Sequence, residues 1–404
     1  MPDVSFESLL IIFGVAVVVP LLLGGAPRLR IPSVVLEILV GVLIGPSVLG
    51  WVEVDLPVQI LAVFGLAFLL FLAGLEIDLG RLRGRVLRLA ALGYLLTVLL
   101  GIGVGAVAAA AGWVRSPGLL AITLSATSLG LVVAVLKDAG RSDGAVGQLT
   151  IAAASVADFG AIVLLTLFFS TSGGSVGQHA VLLAVFAGLV GVVAMLLLRV
   201  RRSRRIGGIL ERLQDTTAEI RVRIAVLLMI ALVVLASRFG LETILGAFLA
   251  GALVGLVDRD ASSHPRFRAK LDAIGYGFLI PVFFVASGVR LDLRGLLENP
   301  AAVALVPLLL AALLLVRGVP ALLWACSLRG PETAASALLQ ATSLPFIVTA
   351  TQIGTTAGLM SPVTAAALVC AGLLSVAVFP AIALVLLRRA TVTEPEPTTP
   401  LVDR

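Results

Sequence analysis

The chain has 404 residues, of which 60% are hydrophobic and 13% are charged, and its mean hydropathy is +1.15. Soluble domains carry roughly 25% charged residues, so this composition excludes a cytosolic enzyme, a nucleic-acid-binding protein and a disordered chain. The formal net charge of +6 comes from basic residues that lie between long apolar blocks, which makes it a signal of membrane topology. Two cysteines and two histidines provide no disulfide framework and no metal-ligand spacing, so we expect no cofactor.

Thirteen apolar runs in the sequence are long enough to be membrane spans, since a helix needs about 20 apolar residues to cross the hydrocarbon core. Only helices satisfy their own backbone polar groups in lipid, so the sequence predicts an all-α integral membrane protein. In chain order the predicted spans are 6–24, 32–50, 57–75, 86–111, 118–136, 149–169, 179–198, 222–237, 241–257, 273–289, 301–325, 333–353 and 363–387.

The basic residues indicate the orientation of these spans. If the loops alternate between two sides, one side receives 24 of the 29 Lys and Arg residues, and the other side receives four. Because positive loops remain in the cytoplasm, we predict a multi-pass protein of the cell membrane with its N-terminus outside and its C-terminus inside. The acidic residues Glu76 and Asp78 fall at the cytoplasmic end of the third span, where we expect them to be solvated.

An internal repeat relates the two halves of the chain. Residues 74–82 resemble residues 288–296 at an offset of 214, and the Ala-Thr-Ser-Leu segment at 126–129 recurs at 341–344 at an offset of 215. Seven spans separate each matched pair, and this odd number means that the copies cross the membrane in opposite senses. Such inverted repeats are typical of secondary transporters.

The repeat divides the chain into predicted domains. We place the first inverted repeat of six spans at 1–178, a linker span and cytoplasmic loop at 179–221, and the second repeat of six spans at 222–390. The Pro- and Thr-rich residues 391–404 form a predicted disordered cytoplasmic tail.

The repeated segments are also the most polar parts of their spans. The first contains Thr127 and Ser128, and the second contains Thr342 and Ser343 followed by Pro345, which removes a backbone donor. Both are predicted helix breaks, because unwound backbone in a membrane is tolerated only against protein or a water-filled cavity. The alternative is that the hydroxyls bond to the preceding helical turn or connect neighbouring helices.

One acidic residue, Asp158, falls in the middle of a span, about ten residues or roughly 15 Å from the nearest loop. A charge at that depth costs several kcal/mol (roughly) unless it is paired or hydrated, so we expect Asp158 to face an aqueous cavity or a counter-charge. The alternative is a structural Asp that caps a neighbouring helix. Arg317 is the only basic residue inside a span, and it either snorkels to the cytoplasmic face or pairs with Asp158 or the breaks.

These residues suggest a site for a small hard cation, which prefers carboxylate, carbonyl and hydroxyl oxygens. Asp158, Thr127 and Ser128 are the predicted ion- and proton-binding residues, so that the transported monovalent cation is held by Asp158. The predicted supporting residues are Ser155, Arg317, Thr342 and Ser343. If a proton and a cation compete for one carboxylate, and only the loaded site crosses the membrane, the result is antiport.

The sequence resembles the cation:proton antiporter superfamily, in the branch of Kef-type potassium transporters and NapA-type sodium/proton antiporters. The resemblance is carried by 124–130, Asp158, 245–251 and 281–288 in that order, and it covers about 6–388. It implies a NhaA/NapA-like fold with two crossed broken helices and a homodimer. Spans 1–3 and 8–10 would form a dimerisation domain, and spans 4–6 and 11–13 would form a mobile ion-transport core.

The resemblance further implies that the essential Asp, the membrane basic residue and the Thr of the first break are Asp158, Arg317 and Thr127. The residue before the essential Asp is usually Asp, Asn or Gln, whereas this chain has Ala157. The second carboxylate that accompanies charge-moving exchange is therefore absent, and we expect electroneutral exchange of Na⁺ or K⁺ for H⁺.

Two other transport functions stay open at this point. One is a sodium-coupled organic-solute symporter of similar fold, and the other is a Kef-like gated potassium efflux system. The sequence contains no nucleophile–base pair and no phosphate-binding loop after a strand, so we do not expect an enzyme. The expected partners are a monovalent cation, H⁺, the lipid bilayer and a second copy of the chain, without nucleic acid.

Overall fold

The structure is a computed structural model, and it describes residues 6–25, 32–77, 84–142, 144–169, 176–201, 219–257 and 265–392. Every regular element in these ranges is helical. In chain order the α-helices are α1 (Glu7–Gly25), α2 (Ser33–Ile44), α3 (Leu56–Leu75), α4 (Gly84–Ala110), α5 (Pro117–Ser125), α6 (Leu129–Asp138), α7 (Ala145–Phe169), α8 (Val176–Arg201), α9 (Ile220–Arg238), α10 (Thr243–Val257), α11 (Pro265–Ile274), α12 (Ile280–Val289), α13 (Leu293–Leu297), α14 (Pro300–Leu313), α15 (Gly330–Gln340), α16 (Pro345–Thr356) and α17 (Pro362–Val392).

The predicted all-α membrane fold is confirmed. Within the described ranges, eleven helical segments are long and apolar enough to cross a membrane, and they match eleven of the predicted spans. The predicted second and ninth spans correspond to α2 and α10, which are shorter apolar helices. The predicted cytoplasmic residue Asp78, most of the loop at 199–221 and most of the tail at 391–404 lie outside the described residues.

Glycines allow two pairs of helices to approach at backbone distance. A Cβ on Gly251 of α10 would overlap the carbonyl oxygen of Phe71 on α3, and one on Gly74 of α3 would overlap that of Phe248 on α10. Helices α2 and α12 pack in the same way, because a Cβ on Gly288 would overlap the carbonyl oxygen of Ile38. Small residues are typical of helix contacts in membranes, where van der Waals packing replaces the hydrophobic effect as the main attraction.

Two helical segments contain a π-helical turn shortly before a proline. Proline clashes with the carbonyl four residues earlier, and a π-helical turn relieves such a clash by adding a residue to the turn. A π-helical turn at Gly275–Leu279 precedes Pro281, and a second one at Leu314–Gly318 precedes Pro320 and leads into a 3₁₀ segment at Val319–Trp324. The second of these turns carries Arg317.

The two predicted helix breaks are present, and they cross each other. The first span of the pair consists of α5 and α6, separated by residues 126–128. The second consists of α15 and α16, separated by residues 341–344. The Ser128 amide donates a hydrogen bond of 2.9 Å to the Thr342 carbonyl, so the unwound backbones of the two halves touch directly.

Candidate ion-binding site

The backbone amides of the first break donate hydrogen bonds to groups outside their own helix. The amides of Thr127 and Leu129 donate hydrogen bonds to the two carboxylate oxygens of Asp158, at 3.0 and 3.2 Å. The Ser128 amide bonds to the second break, as described above. These contacts follow from the rule that buried backbone donors must find partners where a helix is interrupted.

Asp158 lies on α7 in the middle of the molecule and is 8% exposed. Its carboxylate stands at the N-terminus of α6, where the helix dipole favours negative charge. Asp158 therefore caps a half-helix, as the structural alternative supposed. Each carboxylate oxygen has two lone pairs, so these two hydrogen bonds leave acceptor capacity on both oxygens.

Arg317 is 1% exposed and does not snorkel to an aqueous face. Its Nε and Nη2 atoms donate to the Thr127 hydroxyl at 2.9 and 2.6 Å, and its Nη1 donates to the Thr97 hydroxyl at 3.1 Å. The Thr127 hydroxyl in turn donates to the Gln340 carbonyl at 2.7 Å, at the end of α15. Arg317 thus fixes Thr127 between the two breaks, and its charge acts on Asp158 without a direct ion pair.

A cavity of about 750 Å³ reaches this position. Asp158, Thr127 and Ser128 line it on one side, and the apolar side chains of Phe248 and Phe284 line it on another. The lining also includes Glu76, which directly follows α3, and two exposed residues, Tyr276 within the π-helical turn at Gly275–Leu279 and Arg388 near the end of α17. A carboxylate, a hydroxyl-bearing helix break and a cavity meet at one point, which is an arrangement suited to a small cation and a proton.

Comparison with known proteins decides the family. The family model described as "Sodium/hydrogen exchanger, transmembrane" matches residues 13–389. The chain belongs to the sodium/hydrogen exchanger family. The YjbQ protein of Bacillus subtilis is 34% identical over 373 residues, which cover 88% of this chain and 58% of that protein. The chain therefore spans less than two thirds of the length of that relative.

Two further proteins extend the comparison. The Na⁺/H⁺-K⁺ antiporter GerN of Bacillus cereus is 28% identical over 67% of this chain and 68% of its own length. The sodium proton antiporter MjNhaP1 of Methanocaldococcus jannaschii has the same fold, with a TM-score of 0.68 at 20% identity over 95% of this chain and 99% of its own. GerN and MjNhaP1 are both named as antiporters, and the fold of MjNhaP1 agrees with the helical membrane fold that the sequence predicted.

The predicted supporting residues of this exchanger-family chain differ in their surroundings. The Ser155 hydroxyl donates to the Ile151 carbonyl and the Thr342 hydroxyl donates to the Leu338 carbonyl, so both bond to their own helical turn. For Thr342 this agrees with the alternative interpretation of the repeated polar segments. The Ser343 hydroxyl is buried without a hydrogen-bond partner among the described residues. None of these three residues lines the cavity, whereas Asp158, Thr127 and Ser128 do.

Sequence reasoning missed three residues of this region. Thr97 and Tyr94 lie on α4, where the Tyr94 hydroxyl is 3.3 Å from that of Ser125. Their spacing of three residues within an otherwise apolar helix was a signal, because it places both on one helical face. The expectation that Glu76 is solvated holds only in part, since the residue is partly exposed but one of its carboxylate oxygens is buried, and the residue lines the cavity. Its place at a helix end concealed this, because α11 and α6 pack around it only in the folded protein.

Proposed function

We propose that this protein exchanges a monovalent cation, Na⁺ or K⁺, for H⁺ across the membrane, with Asp158 as the binding group that both ions share. The observation that carries the proposal is the position of Asp158, a carboxylate at the crossing of two helix breaks and at the inner end of a cavity. Membership of the sodium/hydrogen exchanger family supports it. The name of the relative GerN, which includes both Na⁺ and K⁺, supports leaving the choice between them open.

Competition at one carboxylate explains the coupling. A cation that enters the cavity replaces water with oxygens of Asp158, Thr127 and Ser128, and a proton on Asp158 removes the charge that holds the cation. An empty, charged Asp158 is costly to enclose, so only the proton-loaded or cation-loaded site changes its exposure. Exchange is then obligatory, and with one carboxylate and one bound charge it is electroneutral.

Arg317 supports this site through Thr127. Its guanidinium stays charged under all ordinary conditions, so it is a fixed positive charge that partly offsets Asp158. Because the two donor contacts to Thr127 occupy the lone pairs of that hydroxyl, we propose that Thr127 contributes a backbone carbonyl rather than its hydroxyl to the cation. Ser155, Thr342 and Ser343 would support the two breaks rather than touch the ion.

The predicted topology places the open end of the cavity on the cytoplasmic side. The exposed Arg388 and the end of α3 at Glu76 both fall on the side of the basic loops. The described conformation is then inward-facing. We propose that the core of spans 4–6 and 11–13 moves against a dimerisation domain of spans 1–3 and 8–10 in a homodimer, as the resemblance to the cation:proton antiporter superfamily implies.

The deciding experiment uses purified protein in liposomes that contain a pH-sensitive dye. Addition of sodium, potassium or lithium chloride to wild-type vesicles with a preset pH gradient changes internal pH, and Asp158→Asn abolishes that change. Glu53→Gln, which neutralises an exposed carboxylate at the opposite end of α3, is the matched control and keeps the wild-type rate. Wild-type exchange in Asp158→Asn would contradict the assignment, and a dependence of the rate on membrane voltage would contradict electroneutrality.

A further inference from the structure

A second carboxylate, that of Glu76, lines the cavity that ends at Asp158. Glu76 follows directly after α3, and its Oε2 atom is buried without a hydrogen-bond partner in the described part of the chain. A buried carboxylate oxygen without a partner is unfavourable unless a proton or a cation occupies it. Glu76 therefore offers an acceptor atom that the described residues leave unused.

Glu76 packs closely against a residue without a side chain, and both residues line the cavity, which provides the space for an ion. Gly130 on α6 faces the carboxylate, and a Cβ at that position would lie 3.2 Å from Oε2. The positive charges of Arg268 and Lys137 act on Glu76, but the described residues provide no ion pair to it within contact distance. Asp272 and Tyr276 are close enough to Glu76 to interact with it electrostatically. The carboxylate of Asp272 and the phenol of Tyr276 therefore provide further oxygen atoms near Glu76.

Glu76 and Asp158 are also electrostatically coupled. Each adds negative potential at the other, because both line one cavity with low-dielectric walls. A cation near Glu76 weakens that repulsion and is itself attracted towards Asp158. One cavity is lined by the exposed Tyr276 and Arg388 as well as by Glu76 and the buried Asp158, so it connects the surface of the protein with the inner site.

We propose that Glu76 forms an outer binding station for the transported monovalent cation, which loads the inner site at Asp158. The proposal rests on the proposed exchange function, and it adds a residue that binds the ion before Asp158 does. The station is transient, since its oxygens come from one or two carboxylates and water and not from a closed cage. Its loss therefore weakens loading and leaves the exchange step at Asp158 intact.

The first test measures exchange in liposomes against cation concentration. Glu76→Gln raises the half-saturating concentration of Na⁺ by about threefold to tenfold, as for the loss of one partly screened charge interaction, while the maximal rate is kept. Glu76→Asp, which keeps the carboxylate, stays near the wild type, and Glu53→Gln does not change the half-saturating concentration. An unchanged half-saturating concentration in Glu76→Gln overturns the proposal, and so does complete loss of exchange at saturating Na⁺, which would place Glu76 in the inner site.

The second test measures binding without exchange. In detergent, NaCl raises the melting temperature of Asp158→Asn more than choline chloride of equal ionic strength does, because a ligand that binds the folded state stabilises it. The double variant Asp158→Asn/Glu76→Gln loses this difference, and Asp158→Asn/Glu53→Gln keeps it. If Asp158→Asn shows no Na⁺-specific rise, or if the double variant keeps it, the outer station is refuted.

Failure of the exchange function would give a different pattern. Wild-type vesicles would then show no cation-dependent proton flux, while the Na⁺-specific stabilisation that depends on Glu76 would persist. The two outcomes are separated because the melting measurement needs no transport.

Discussion

The Arg317 guanidinium donates through two of its nitrogens to the single hydroxyl of Thr127, at 2.9 and 2.6 Å. This hydroxyl also donates to the Gln340 carbonyl, so one side chain connects the π-helical turn of Arg317, the first break and the end of α15. Because the buried guanidinium of Arg317 bonds to a hydroxyl, it forms no direct ion pair that would neutralise the carboxylate of Asp158. The carboxylate consequently stays available for the cation and the proton of the proposed exchange.

Replacement of Thr127 by Val removes this junction while keeping its shape. Arg317 then loses the acceptor for two hydrogen bonds, and we expect the free energy of unfolding to fall by about 1–3 kcal/mol. The measurement is thermal or denaturant unfolding of the purified protein in detergent. We also expect a lower exchange rate, because the hydroxyl contacts hold in place the unwound backbone whose Thr127 amide donates to Asp158.

A matched control for that variant is Thr166→Val. Thr166 is equally buried, but its hydroxyl bonds only to the Ile162 carbonyl of its own helix. This substitution should change stability by much less, about 0.5 kcal/mol, and should leave exchange intact. Equal effects of the two variants would show that Thr127 has no special role.

Arg317→Lys keeps a positive charge but loses the planar arrangement of donors. A lysine ammonium cannot reach Thr127 and Thr97 with the three contacts that the guanidinium makes. We expect a loss of about 1–3 kcal/mol in unfolding free energy and a raised half-saturating cation concentration. Arg294→Lys is the control, because Arg294 forms only an exposed pair with Glu298 at 3.9 Å, and it should behave as the wild type.

Because α3 and α10 are in close contact at Gly251, we expect any side chain at this position to destabilise the protein. Gly251→Ala places a methyl group against the Phe71 carbonyl, and the helices must separate. Overpacking of this kind costs about 1–3 kcal/mol, which a lower melting temperature would reveal. Gly103→Ala on α4 has open space around the new methyl group, and it should be neutral or slightly stabilising.

Stability should depend on pH through Glu76. Burial raises the pKa of Glu76 from 4.5 to about 7, against the lowering effect of Arg268 and Lys137 and together with the raising effect of Asp272. The folded protein thus binds this proton more tightly than the unfolded chain, so the stabilisation is present below pH 4.5 and is lost as the pH rises to about 7. Glu76→Gln removes this dependence, since the amide does not titrate.

The measurement compares melting temperatures of the wild type and Glu76→Gln from pH 5 to 8. The variant should gain stability relative to the wild type as the pH rises through about 7, in choline chloride without sodium. Asp158 and Tyr276 both interact with the carboxyl group of Glu76. The comparison is therefore repeated in protein that carries Asp158→Asn, with and without Glu76→Gln. A constant difference across this pH range would contradict the raised pKa.

The sequence by itself determined the membrane fold, the position of the helix breaks and the depth of Asp158. The physical reason is that the bilayer restricts a chain to helices of known length, so hydropathy fixes the spans. Pro345 and the repeated Ala-Thr-Ser-Leu segment mark the breaks, because a missing donor and clustered hydroxyls are local properties. An acidic residue ten positions from any loop is costly wherever the helices pack, which is why Asp158 was recognisable.

Only the tertiary structure decided which side chains meet Asp158 and Arg317. The partners of Arg317 are Thr127 and Thr97, which are 190 and 220 residues away along the chain, and no local pattern reports such pairs. The same holds for Glu76, which is at a helix end in the sequence but shares a cavity with Asp158 because α3, α6 and α7 converge there. Solvation of a helix end depends on what packs over it, and packing is a property of the assembled helices alone.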